Sequence, residues 1–128
     1  MSSTQITNFE KVGDFMEAFG QEVLCIPTMP NTNLAALRLD LIQEEVQELR
    51  DGLGKNSMLE IADALTDILY VVYGAGHAFG IDLDDCFNEV HSSNMTKLGA
   101  DGRPLYRDDG KVMKGPNYRE PDLTPFIL

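Results

Sequence analysis

LRLDLIQEEVQELRDGLGKNSMLEIADALTDILYVVYG, residues 37–74, decides the reading of this chain. Both halves carry apolar residues at helical spacing, and both carry carboxylates inside the stretches that read as core-facing. On a wheel of about 100° per residue started at Leu34, the residues Leu37, Leu41, Ile42, Val46 and Leu49 share one broad arc, and Glu45 and Glu48 fall within it. Asp40, Gln43, Gln47, Arg50 and Asp51 take the polar face, with Glu44 at the edge between the two. In the second half Glu60, Asp63 and Asp67 form a stripe at i, i+3 and i+7, while Ile61, Leu65, Ile68, Leu69 and Val72 cover most of the remaining circumference. A solvated face explains Asp40 and Asp51 but not Glu45 and Glu48. Desolvating an unpaired carboxylate costs several kcal/mol, and like charges at these helical spacings cost roughly 0.2–0.5 kcal/mol per exposed pair. Two acidic stripes facing each other across a helical hairpin therefore call for a cation.

Ligand chemistry narrows that cation. The donors are hard oxygens, with no His or Cys at suitable spacing, which favours Mg²⁺, with Mn²⁺ as a substitute, over zinc, copper or a thiolate-held cluster. A di-iron bundle needs Glu-x-x-His on two helices, and neither His77 nor His91 follows a Glu at that spacing. Four or five carboxylates carry more negative charge than one Mg²⁺ balances, so at least two ions are expected in a substrate complex. Mg²⁺ keeps waters and shares its coordination with substrate phosphates, which fits the charge distribution of the chain. The net charge is −11, yet Lys97, Arg103, Arg107, Lys111, Lys114 and Arg119 make up six of the ten basic residues. An acidic body with a basic tail suits a metal plus a polyphosphate.

Outward from the central stretch, Phe9, Val12, Met16 and Phe19 recur at helical spacing, giving a first helix over about residues 8–19 with Asn8 as N-cap and Gly20 as stop. Pro27 and Pro30 interrupt the following segment, and the second helix runs from Leu34 to Asp51, ending before Gly52 and Gly54. Ser57 with Glu60 reads as a capping box opening a third helix that runs to Gly74 or Phe79. Asp82 caps a fourth, with Asp84 and Asp85 in its first turn and Gly99 after its last. The core helices thus span about residues 8–98 and the tail about 99–128, where Asp109-Gly110 closes either a small hairpin or a loop.

With 128 residues the expectation is one domain. Cys25 and Cys86 are too few and too isolated for a metal knuckle or a disulfide framework, which suits a reducing compartment. No basic stretch precedes an apolar run at the N-terminus, and the most apolar window, residues 59–79, is interrupted by Glu60, Asp63 and Asp67. A soluble, cytoplasmic protein is expected. The acidic balance argues against duplex nucleic acid or an anionic membrane as partner, since both need a basic footprint. The third helix is apolar nearly all round, more than a four-helix protomer covers, which predicts a homodimer with a larger bundle at its interface.

E-E-x-x-E in QEEVQEL followed by E-x-x-D in EIADALTD resembles the all-α nucleoside triphosphate pyrophosphohydrolases, the group containing MazG-like enzymes, dimeric dUTPases and phosphoribosyl-ATP pyrophosphohydrolase. The resemblance spans most of the chain and is closest to the phosphoribosyl-ATP pyrophosphohydrolase-like branch, through LRLDLIQEEVQEL, EIADALTDILYVVYG, EVHSSNMTKLG and GKVMKGPNY. It implies an all-α fold of four principal helices with an irregular tail over the acidic pocket, assembling as a helical-bundle dimer. It implies hydrolysis of a nucleoside triphosphate or related nucleotide to the monophosphate and pyrophosphate. Carried over by position, it implies that Glu45, Glu48, Glu60 and Asp63 ligate Mg²⁺, that Asp67 supports them from behind, and that Glu44 orients or deprotonates the attacking water. Asn94 and Lys97 match an N-x-x-K that contacts phosphate. Lys111 and Lys114 are read as further phosphate contacts, against the alternative of a solvated loop.

Arg38, two turns before Glu45 on the same side, either holds a carboxylate structurally or meets a phosphate, and His91 either touches a base or ribose or simply packs. Two rival functions stand beside hydrolysis: a catalytically silent nucleotide- or metal-binding regulator, and a structural acidic bundle associating with a basic protein. The complete ligand set together with Glu44, Asn94 and Lys97 favours the enzyme.

Overall fold

A computed structural model describes residues 5–128. It contains α1 (Asn8–Ala18), α2 (Thr32–Gly54), α3 (Met58–Phe79), α4 (Leu83–Met95) and the short α5 (Thr124–Ile127). The all-α class with four principal helices is therefore as expected, with α5 added at the end of the tail. The chain forms two compact units, Met1–Leu83 and Asp84–Leu128.

In the first unit α2 and α3 pair as a long hairpin and α1 packs on α3. The core is small: Phe9, Val12 and Met16 of α1 and Ala64 and Ala78 of α3 are buried. Phe9 stacks on His77 with ring centroids 3.9 Å apart, and His77 Nε2 lies 2.7 Å from the Phe9 carbonyl oxygen. That bond satisfies a polar group at the bottom of the core, consistent with a histidine placed for packing.

Two helix boundaries differ from those read in the sequence. Thr7, not Asn8, caps α1: its hydroxyl accepts from Glu10 N at 3.1 Å while Glu10 Oε1 accepts from Thr7 N at 3.0 Å. Glu10 at the third helical position makes the reciprocal pair available only to residue 7. α2 runs through Gly52 to Gly54 instead of stopping at Asp51. Gly52 is buried in the hairpin seam, where an added Cβ would come within 3.2 Å of Ile61 N and 3.3 Å of Glu60 C and Cβ. This glycine permits close approach of the start of α3 and does not break the helix.

In the second unit α4 ends at Met95, short of Gly99, and the tail folds back on it. Ser93, 1% exposed, donates to the Arg119 carbonyl at 2.6 Å, and Arg119 N donates to Thr96 Oγ1 at 2.9 Å. Asp109-Gly110 does close a minimal hairpin, with one bridge pairing Tyr106 and Val112. Arg107 N donates to Lys111 O and Met113 N to Leu105 O, each at 2.7 Å. No single helix among the described residues is long and apolar enough to cross a membrane.

Candidate functional site

The antiparallel register of the hairpin follows from its ends. Gly52 lies against Glu60 and Ile61, and Arg38 lies over Gly74. Positions 38, 45 and 52 recur every seven residues along the face of α2 that meets α3, so Glu45 is carried into the seam between them. There one carboxylate oxygen each of Glu45, Glu48 and Asp67 lie within 4.8 Å of one another.

The electrostatics of this trio are unfavourable in themselves. Glu45 is pushed up to about 7, first by desolvation, then by hydrogen bonding and charge from Glu48, then by the charges of Asp67 and Asp63. Asp67 is raised for the same reasons: burial first, then Asp63 and Glu48. Glu45 Oε2 is buried and has no hydrogen-bond partner. A buried carboxylate oxygen without a donor, with two more carboxylates within ligand distance, has the donor set of a hard divalent cation.

Around the corner of the same helices, Glu48, Asp51, Lys55, Glu60 and Asp63 line a cavity of about 270 Å³. Glu48 thus belongs to both the trio and the cavity. Glu60 is freed for the cavity by an incomplete capping box. Ser57 Oγ accepts from Glu60 N at 3.2 Å, as expected, but Ser57 N donates to Gly52 O at 3.0 Å. The Glu60 carboxylate instead pairs with Lys55 Nζ at 3.4 Å.

Of the residues singled out in the sequence, the hairpin brings Glu45, Glu48, Glu60, Asp63 and Asp67 to one side of the molecule's first unit. Asp67, assigned a supporting place, stands in the tightest group, whereas Glu60 and Asp63 face the adjoining cavity. Glu44 is exposed and lies one helical turn before Glu48 on the same face of α2. Arg38 is buried, 9% exposed, and its Nη2 donates to Gln21 Oε1 at 3.3 Å while Nε has no partner. Desolvation lowers its pKa.

Asn94 and Lys97 belong to the second unit, where they line a cavity of about 380 Å³ with Met95, Leu98, Pro104 and Val112. Lys111 and Lys114 are exposed on the tail of that unit, and His91 is exposed on α4. In the first unit Asp51 and Lys55 also line the cavity with Glu48, Glu60 and Asp63, although sequence pattern alone does not single them out. The faint signal for Asp51 is its place in a Glu44, Glu48, Asp51 stripe at i, i+4 and i+7; Lys55 lies in a turn, where periodicity gives no signal.

The sequence profile of the family described as phosphoribosyl-ATP pyrophosphohydrolase matches residues 12–94. An uncharacterized protein of Acanthamoeba polyphaga mimivirus is 38% identical over 117 residues, which cover 88% of this chain and 44% of that protein. The chain thus spans less than half the length of that relative. A crystal structure from Exiguobacterium sp. 255-15, described as a candidate NTP pyrophosphohydrolase, aligns over 92% of this chain and 90% of its own at 24% identity and a TM-score of 0.47.

Proposed function

The chain belongs to the phosphoribosyl-ATP pyrophosphohydrolase family, and we propose that it is a pyrophosphohydrolase that cleaves a nucleoside triphosphate or related nucleotide, phosphoribosyl-ATP included, to the monophosphate and pyrophosphate with Mg²⁺ as cofactor. The observation that carries this reading is the convergence of Glu45, Glu48 and Asp67, with Glu45 Oε2 buried and unpartnered.

Glu45, Glu48, Glu60 and Asp63 would hold Mg²⁺ or Mn²⁺, with Asp67 joining Glu45 and Glu48. When bound, the ion neutralises the phosphate chain and offsets charge that develops on the transferring group. Glu44 accepts the proton of the attacking water. The new bond is from the water oxygen to phosphorus at the α–β anhydride, the bond that breaks is the anhydride P–O bond, and its electron pair leaves with pyrophosphate. Asn94, Lys97, Lys111 and Lys114 contact phosphate oxygens, the lysines as point charges and Asn94 through its amide.

A homodimer belongs to the same reading. Phe15 of α1, Phe19 at its C-cap, and Leu65, Leu69 and Tyr70 of α3 are exposed, and a cavity of about 170 Å³ lined by Val12, Leu69, Tyr70 and Tyr73 among others opens beside them. An apolar face of this extent on a small unit favours burial against a second copy.

The deciding experiment is pyrophosphate release from a panel of dNTPs, NTPs and phosphoribosyl-ATP, with Mg²⁺ and with chelator. Turnover is expected only with the divalent ion, and Glu45→Ala and Glu48→Ala are each expected to reduce it at least a hundredfold, the scale on which loss of metal-dependent charge stabilisation acts. Undiminished turnover in both variants overturns the metal assignment.

A further inference from the structure

The second unit places two lysine ammonium groups over one aromatic ring. Lys114 Nζ lies 4.9 Å and Lys97 Nζ 6.0 Å from the centroid of Tyr118. Both distances are within the range in which a cation is attracted to a ring face.

The surrounding backbone fixes this arrangement. Gly115 sits flat against the turn that follows α4: an added Cβ would come within 2.1 Å of the Leu98 carbonyl oxygen and 2.8 Å of that of Lys97. That contact brings Lys114 beside Lys97. Tyr118 N donates to Gly115 O at 3.2 Å, closing a turn, and the next residue, Arg119, is held through its backbone by buried Ser93 and by Thr96. The ring is thus anchored on both sides.

Of the four other tail cations, two are paired with carboxylates. Arg119 is neutralised by Glu89, with Nη1 2.6 Å from Oε2, and Arg107 pairs with Asp109. Among the described residues, no carboxylate pairs with Lys97 or Lys114, and their mutual repulsion is offset only by the ring. Two uncompensated like charges gathered about one aromatic ring are arranged for a multiply charged anion.

We propose that Tyr118 is a positioning residue that holds Lys97 and Lys114 side by side as a two-point clamp for adjacent phosphates of the substrate, the pyrophosphate-leaving portion of a polyphosphate chain. This rests on the phosphate-contact reading of Lys97 and Lys114 given above. The ring face supplies the positioning and the phenolic hydroxyl is not required, which separates Tyr118 from a direct phosphate ligand.

The test is calorimetric binding of inorganic tripolyphosphate to the full chain in chelator, so that no divalent ion contributes. Tyr118→Phe is expected to bind within twofold of the wild type. Tyr118→Leu, and pentafluorophenylalanine incorporated at position 118, are expected to bind roughly three- to tenfold more weakly, the consequence of leaving two lysine side chains unordered before binding. The fluorinated ring keeps shape and packing while removing the negative face, so it remains informative if Tyr118→Leu fails to fold. In turnover the same variants are expected to raise KM more than they lower kcat.

Wild-type affinity with the fluorinated ring, alongside weakened binding in Lys97→Ala and Lys114→Ala, overturns the role of Tyr118 alone. Unchanged binding in both lysine variants overturns the phosphate-contact reading itself.

Discussion

Glu45 retains its proton to about 7 because burial, Glu48, Asp67 and Asp63 all oppose its charge. A carboxyl raised in the folded state binds its proton more tightly there than in the unfolded chain. Between its ordinary value of 4.5 and about 7, stability therefore falls as pH rises, having been fully present at lower pH. In chelator, thermal midpoints measured from pH 5 to 8 are expected to show this decline, and Glu45→Gln is expected to flatten it and be the more stable protein at pH 8. A wild type and variant with parallel profiles would show that Glu45 is not under this strain. The same charge crowding explains why the site was partly legible in the sequence. Glu45 and Glu48 stood out because they occupy an apolar arc, an anomaly that a wheel detects. Asp51 stood out less, because an acid on a polar face is ordinary, and only the placement of α3 turns it toward a cavity. The closer grouping of Asp67 with Glu45 than of Glu60 follows from the hairpin register, which no single-helix pattern encodes.

Among the elements, α2 and α3 were readable at length because long amphipathic periodicity outweighs local signals. Their junction was less readable. Glycine reads as a helix stop, and Gly52 sits inside α2 because the start of α3 crosses it at backbone contact distance. Gly52→Ala is expected to destabilise the first unit by about 1–3 kcal/mol through overpacking, although alanine is the better helix former. Urea denaturation followed by circular dichroism checks the sign, and a stabilised variant would mean that the seam is looser than 3.2 Å at Ile61 N. The N-cap of α3 was legible, but the destination of the Glu60 carboxylate was not. Ser57 N finds Gly52 O, a partner made available by the continuation of α2 past its expected end, and Glu60 is left to face Lys55.

For the molecule as a whole, the exposed apolar surface of α1 and α3 is the basis of the proposed dimer. Phe15, Phe19, Leu65, Leu69 and Tyr70 are expected to be covered in solution, so sedimentation at micromolar concentration should give twice the chain mass, and Leu69→Lys should give the single chain. Monomeric wild type would contradict the dimer. Chain-wide charge was legible as a division into acidic body and basic tail, but the grouping of α4 with the tail was not, because it depends on Ser93, Thr96 and Arg119 meeting across more than twenty intervening residues. The Lys55–Glu60 pair joins these scales. With side chains 66% and 48% exposed it adds little rigidity, yet it brings a tethered counterion to the mouth of a cavity otherwise lined by acids. A tethered cation of this kind is expected to offset part of the repulsion among the acids when free divalent ions are scarce. Replacing it, as in Lys55→Met, should therefore make thermal stability depend more steeply on added Mg²⁺, because a diffusible ion would have to do what the tethered one does now.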